Sequence, residues 1–118
     1  MDEKIFKERT KKLGIAVIGL VDKLPRTVAA EVLSKQIIRS STSVGANYRA
    51  ACRAKSTPDM INKLKTVEEE ADETAFWLEV LTESKILNQT QVAALAKETD
   101  EILAMTVASL KTLRGKKS

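Results

Sequence analysis

The chain has 118 residues, carries 20 Lys and Arg against 16 Asp and Glu, and contains no histidine. Its length favours one domain over residues 1–118 with a single core. Its 43% hydrophobic and 31% charged residues exclude a disordered or membrane-embedded chain, and the scarcity of aromatics disfavours an all-β fold. The missing histidine excludes His-dependent catalysis and His-ligated metal, so we predict no enzymatic activity, catalytic residue, metal or cofactor.

The lone cysteine, Cys52, excludes an intrachain disulfide and predicts a reducing, cytoplasmic location. One apolar run, from Leu13 to Val21, follows two lysines and resembles the start of a signal peptide. It is far shorter than the ~20 residues that span a bilayer. We therefore interpret it as part of a buried helix and expect no contact with a membrane.

The first predicted helix covers about residues 2–23, where apolar residues recur at helical spacing from Phe6 to Leu24. Three isoleucines lie off this stripe: Ile5, Ile15 and Ile18. A monomeric bundle needs one apolar face on each helix. The second apolar face therefore predicts contact with a partner.

The second predicted helix covers about residues 27–54. Pro25 ends the helix before it, and Thr27 is the expected N-cap. Gly45 inside the helix costs about 1 kcal/mol relative to alanine. Its presence suggests one of two structural reasons, a close approach of another helix or a bend; an accidental glycine is the remaining alternative.

The third and fourth predicted helices cover about residues 57–85 and 88–114. Thr57 is the expected cap of the third helix, and Asn88 begins a capping box with Gln91 in the fourth. Apolar residues in the third helix alternate by four and three, which is typical of coiled-coil-like packing in a bundle. Short connections then predict an all-α, antiparallel up-down-up-down four-helix bundle.

The densest run of charge lies in the third helix and comprises five acids: Glu68, Glu69, Glu70, Asp72 and Glu73. A carboxylate metal site in a bundle also draws on acids and histidines from other helices, which this chain largely lacks. We interpret the run as a solvated or ion-paired face rather than a metal or acid–base site.

Positive charge is concentrated in the first two helices. Residues 1–55 hold 12 basic and 5 acidic residues, whereas residues 56–118 hold 8 and 11. One interpretation is attraction between the two hairpins together with solvation. The other is a basic surface that contacts phosphates of RNA or DNA, for which the candidates are Lys11, Lys12, Arg49, Arg53 and Lys55.

A polar line in the second helix, formed by Arg39, Ser43 and Asn47, has i, i+4, i+8 spacing. Glu70 and Glu73 of the third helix are the expected partners. The alternatives are a network that fixes helix register and a surface ion-pair row that contributes little. A structural role is favoured over a catalytic one.

Phe76 and Trp77 are adjacent in the third helix and cannot both point into one narrow core. One of them is expected at the edge of the core or against another subunit. Together with Ile5, Ile15 and Ile18, these two aromatics form the predicted oligomer interface.

Several segments resemble those of the four-helix-bundle proteins encoded by intervening sequences in 23S rRNA genes, a family related to the accessory proteins of diversity-generating retroelements. The matching segments are Leu24-Pro25, Gln36, Arg39, Ser43 to Asn47, Lys55-Ser56, Glu73 and Trp77 to Glu79. One departure is Ala50, where many members have an acid. The resemblance implies a bundle that assembles into a ring, typically a homopentamer, without catalysis. In the retroelement branch it also implies nucleic-acid binding and a reverse-transcriptase partner.

The sequence therefore predicts a non-enzymatic, oligomeric four-helix-bundle scaffold or adaptor, with RNA as the favoured ligand of a basic face. The alternative is a protein–protein interaction module that binds no nucleic acid and whose basic hairpin only maintains solubility. The first hypothesis expects RNA binding that weakens as salt is raised, and the second expects no RNA binding.

Overall fold

The computed structural model describes residues 2–115, and within that range every regular element is an α-helix. The four helices are α1 (Glu3–Val21), α2 (Val28–Cys52), α3 (Thr57–Glu83) and α4 (Gln89–Gly115). Residues 2–115 contain no helix that is both long and apolar enough to cross a bilayer.

The helix starts follow from local capping. Thr27 accepts a hydrogen bond from the Ala30 N–H at the start of α2, as predicted. Asn88 and Gln91 exchange side-chain-to-backbone hydrogen bonds of 2.9 Å, which confirms the predicted capping box at the start of α4. At the start of α3 the prediction was wrong by one residue, because Ser56 rather than Thr57 is the N-cap.

Helices α1 and α2 approach closely at two glycines. A Cβ placed on Gly45 would lie 3.2 Å from the carbonyl carbon and oxygen of Thr10, and one on Gly14 would lie 3.1 Å from Thr42 Cγ2. Of the two explanations for Gly45, close approach is therefore the one observed. The missing side chains let two backbones pack where larger residues would separate them.

The core runs the length of the molecule, which measures 51 × 20 × 20 Å. Helix α2 packs against α1 and α3, and α4 packs against α3 and α1. One cluster is centred on Phe6 and Tyr48, whose rings meet edge to face with centroids 4.6 Å apart. The other contains Ile37, Leu78 and Leu81. The resulting rod presents its polar side chains and inter-helix grooves along its outside.

Candidate nucleic-acid interface

A cleft lies on the outer surface where α2 ends and α3 begins, and its volume is about 860 Å³. Four basic side chains line it: Arg49, Arg53, Lys55 and Lys63. We call these four residues and the concavity between them the basic cleft. Asp59 is the acidic residue in its lining, so the described lining has three more cations than anions.

Local hydrogen bonds fix the turn that carries Lys55. Ser56 Oγ accepts from the Asp59 N–H at 3.2 Å, and Asp59 Oδ2 accepts from the Lys55 N–H at 3.2 Å. This reciprocal pattern satisfies backbone donors at the start of α3. It also engages the Asp59 carboxylate with backbone, so this acid serves the turn as well as lining the cleft.

The cations of the basic cleft are available to a ligand. Arg49, Arg53 and Lys55 are exposed and Lys63 is half-buried. Within residues 2–115, the ion pairs formed inside the chain involve other basic residues. Unpaired cations around a concave surface favour binding of polyanions, because a phosphate replaces water without first displacing a carboxylate.

Three of the five predicted nucleic-acid residues, Arg49, Arg53 and Lys55, lie together in the basic cleft. Lys11 lies in a neighbouring α1–α2 groove that Arg49 also lines, and its ammonium pairs with Glu8 at 2.8 Å. Lys12 is exposed on α1 and lines neither surface. The structure thus links four of the five residues through Arg49, which lines both surfaces, and leaves Lys12 outside them.

Sequence reasoning missed Lys63, which completes the cleft from α3. The signal was its i+4 spacing from Asp59, which places both residues on one face of the new helix. The turn then brings that face beside the end of α2.

The predicted polar network is only partly formed. Arg39 donates to Glu70 Oε1 at 3.3 Å and also contacts Glu73 Oε2, which links α2 to α3. The inclusion of Ser43 and Asn47 was wrong, because the Asn47 amide donates to the Ser43 backbone carbonyl at 2.9 Å instead. Among these three residues of α2, Arg39 is the one whose side chain hydrogen-bonds to α3 in the described part of the chain.

The predicted interface residues separate into two groups. Ile5, Ile15, Ile18 and Phe76 are exposed, by 58%, 58%, 46% and 52% respectively. Trp77 is half-buried against the core, and its Nε1 donates to Glu73 Oε2 at 2.9 Å. Phe76 is therefore the outward member of the aromatic pair.

The acidic run of α3 and the lone thiol show no arrangement typical of a catalytic or metal site. Within residues 2–115, no cluster of three or more Cys, Asp and Glu side chains is placed to hold a metal ion. Burial raises the pKa of the Cys52 thiol, with a hydrogen bond to Glu3 acting in the same direction. A raised pKa keeps the thiol protonated and makes it a weak nucleophile.

Comparison with known proteins agrees with this architecture. A crystal structure from Bacteroides thetaiotaomicron, of a protein with unknown function from the S23 ribosomal protein family, superposes with a TM-score of 0.86. It is 33% identical in sequence, and the match covers 94% of this chain and 99% of that one. Among curated proteins no match was found. The family profile of the 23S rRNA-intervening sequence proteins matches residues 3–108, and the chain belongs to this family.

Proposed function

We propose that this protein is a non-enzymatic RNA-binding scaffold that contacts phosphates through the basic cleft. The observation that carries the proposal is the grouping of four basic side chains from the end of α2, the turn and the start of α3 around one concavity. Arg49 comes from α2, Arg53 and Lys55 from the connection that follows it, and Lys63 from α3, and together they exceed the acid in the lining by three charges. RNA is the polyanion proposed, since the resemblance to the retroelement accessory proteins implies binding of nucleic acid; the family name itself refers to the location of the genes.

Binding is expected to depend on the RNA backbone rather than on base identity. The described lining of the basic cleft contains no aromatic side chain on which a base would stack. Phosphate contacts release counterions, so affinity should fall steeply with salt and vary little with sequence. Double-stranded and single-stranded probes of mixed sequence are therefore both suitable tests.

The decisive variant is Arg49→Ala/Arg53→Ala, compared with the matched control Lys97→Ala/Lys111→Ala. Both remove two exposed cations, but the control removes them from α4, away from the basic cleft. We expect the cleft variant to bind a fluorescent RNA less tightly, with a slope of log affinity against log salt reduced by about 2. The control should retain the wild-type slope.

Two results would contradict the proposal. Equal losses in both variants would assign binding to overall net charge. Absence of binding by the wild-type protein at low salt would favour the alternative function, a protein–protein interaction module without nucleic-acid binding. The same assay with a DNA probe shows whether the cleft discriminates between the two polymers.

We further propose that the helices form an antiparallel up-down-up-down bundle. Gly45 lies against Thr10 while Gly14 lies against Thr42, so α1 and α2 run in opposite directions. Ser40 meets Thr74, whereas Lys63 shares the basic cleft with Arg49, which supports the same relation for α2 and α3. Connections of a few residues are typical of antiparallel neighbours.

We also propose that the protein forms a homo-oligomeric ring in the cytoplasm. Exposed Ile5, Ile15, Ile18 and Phe76 support burial against another copy, and the family resemblance favours a pentamer. The free thiol of Cys52 supports a reducing compartment. Light scattering should give a mass near five times 13.0 kDa, and a monomer mass would contradict the ring.

A further inference from the structure

One side of α1 presents an apolar surface flanked by positive charge. Ile15 and Ile18 are 58% and 46% exposed, although their neighbours on the helix pack into the core. Lys11 and Lys12 lie one turn earlier on the same side and are exposed. We call these four residues the α1 ridge. Exposed isoleucines adjacent to one another are costly in water, so this ridge is suited to burial.

A groove of complementary character lies between the second half of α3 and the first half of α4. Its volume is about 460 Å³. Small and apolar side chains lie along it: Ala75, Leu78, Val92, Ala93 and Ala96. Three carboxylates also line it, from Glu79, Glu83 and Asp100, and the described lining includes no basic residue. We call this feature the acidic groove.

The carboxylates of the acidic groove have no basic partner among residues 2–115, where the intrachain ion pairs use other acids. Helix α3 and helix α4 therefore present an apolar floor between unneutralised negative charges. The surface that fits such a groove is a helix with an apolar stripe and flanking cations.

We propose that the α1 ridge of one copy packs into the acidic groove of a second copy. The ridge supplies two exposed isoleucines for the apolar floor and two exposed lysines for the three carboxylates; Lys11 also pairs with Glu8 of its own helix, whereas Lys12 forms no ion pair among the described residues. The proposal rests on the oligomer proposed above and specifies its interface. Ridge and groove are different surfaces, so a copy that uses its ridge still offers its groove to a third copy, and repeated head-to-tail contacts close into a ring or continue as a chain.

The α1 ridge and the basic cleft adjoin each other at Arg49, which lines both the cleft and the α1–α2 groove that contains Ile15 and Ile18. Arg49, Arg53 and Lys55 belong to α2 and the following turn, and Lys63 belongs to the first half of α3. None of the four is in the α1 ridge or in the lining of the acidic groove. Repetition of the basic cleft in each copy would raise avidity for a long polyanion without a new contact.

Two variants that each disable one half of the interface test the proposal. Ile15→Asp/Ile18→Asp places carboxylates on the ridge, where they would face the acidic groove. Ala93→Trp places a bulky, uncharged ring in the groove at an exposed position and excludes the ridge by its size. Each variant alone should be monomeric by native mass spectrometry, with helical content unchanged by circular dichroism.

Mixing the two variants distinguishes a head-to-tail contact from a symmetric one. Each retains the half that the other has lost, so an equimolar mixture should form a one-to-one heterodimer and nothing larger. A matched control, Val28→Asp/Val32→Asp, places the same two charges at exposed apolar residues of α2, outside the ridge and the groove. It should assemble as the wild type does.

The outcomes separate this inference from the proposed assembly. A monomeric wild-type protein would overturn both. An oligomeric wild type whose ridge and groove variants also remain oligomeric would overturn the interface alone. The interface would equally be overturned if the mixture gave no heterodimer, or if the α2 control dissociated while the ridge variant stayed assembled.

Discussion

Ser40 on α2 and Thr74 on α3 join their hydroxyl groups in the buried interior, with Oγ and Oγ1 2.9 Å apart. Each hydroxyl has a second contact on its own helix, since Thr74 Oγ1 donates to the Glu70 carbonyl at 2.9 Å and Ser40 Oγ lies 3.4 Å from the Ile37 carbonyl. The pair is therefore a satisfied polar contact between two helices that otherwise pack through apolar residues. It lies one residue from the Arg39–Glu73 ion pair, and the two contacts together fix how α2 and α3 are aligned.

Replacing Ser40 with alanine should lower the free energy of unfolding by about 1 kcal/mol, because an inter-helix hydrogen bond is lost and a small void remains. Replacing Thr74 with valine should cost a similar amount. The double variant should lose less than the two single losses combined, since both remove the same contact. Urea unfolding of the four proteins measures this, and strict additivity would show that the hydroxyls do not interact.

The contact of α1 with α2 predicts opposite effects for two glycine substitutions. In Gly45→Ala the new Cβ would lie 3.2 Å from backbone atoms of Thr10, which cannot rotate away. The helices must separate, and the variant should be less stable by about 1–3 kcal/mol despite the better helix propensity of alanine.

Gly19 on the same helix as Gly14 provides the control. A Cβ there would meet nothing within 4 Å, so Gly19→Ala should raise stability by about 0.5–1 kcal/mol through helix propensity alone. Thermal unfolding should move in opposite directions for the two variants. A stabilised Gly45→Ala protein would contradict the close approach.

Features that depend on neighbouring residues were predictable from the sequence. The capping box of Asn88 and Gln91 needs only three-residue spacing, and Thr27 needs only the helix that follows it. The same holds for the exposure of Ile15, because helical periodicity alone placed it off the apolar stripe. These features were confirmed because their physics is local.

Among features that depend on the docking of distant residues, the pairing of Arg39 with Glu70 and Glu73 was predicted and is observed, but others were missed. Arg9 and Glu98 are 89 residues apart in the chain, and each alone looks like an ordinary surface charge. Lys63 likewise entered the basic cleft only once the turn had folded α3 back along α2. Ser43 has the i+4 spacing from Arg39, but spacing along one helix did not show that Ser40, rather than Ser43, meets α3 through its hydroxyl.

The Arg9 guanidinium bridges α1 and α4 and predicts a salt-sensitive contribution to stability. Its Nε and one Nη donate to the two carboxylate oxygens of Glu98 at 2.9 and 2.6 Å, and the same Nη donates to Glu101 at 2.8 Å. These hydrogen bonds raise the pKa of Arg9, so its charge persists across the accessible pH range. A lysine cannot reproduce the two-pronged geometry.

Arg9→Lys should therefore cost about 1 kcal/mol at low salt and less in roughly 1 M NaCl, where charge interactions are screened. The control is Lys7→Ala, which removes an exposed i, i+4 pair with Glu3 whose atoms are 3.8 Å apart. That pair should contribute less than about 0.5 kcal/mol. Denaturant unfolding at both salt concentrations measures the difference, and equal effects at the two positions would contradict a special role for Arg9.

Tyr48 and Cys52 predict a loss of stability at alkaline pH. Burial raises the pKa of both groups above their ordinary values, which are about 10 for tyrosine and about 8.5 for cysteine. In the unfolded chain they lose protons at these lower values, so above about pH 8.5 the folded state holds more protons than the unfolded state, and stability falls as pH rises. The free energy of unfolding should thus decline between about pH 8.5 and 10.5, in part through these two groups.

In Tyr48→Phe/Cys52→Ala, which lacks both titrating groups, the decline should be shallower than in the wild type. The lysines contribute to the decline in both proteins, so the difference between the two reports on Tyr48 and Cys52. Denaturant unfolding as a function of pH measures the two slopes, and identical slopes would show that neither group is held in its neutral form by burial.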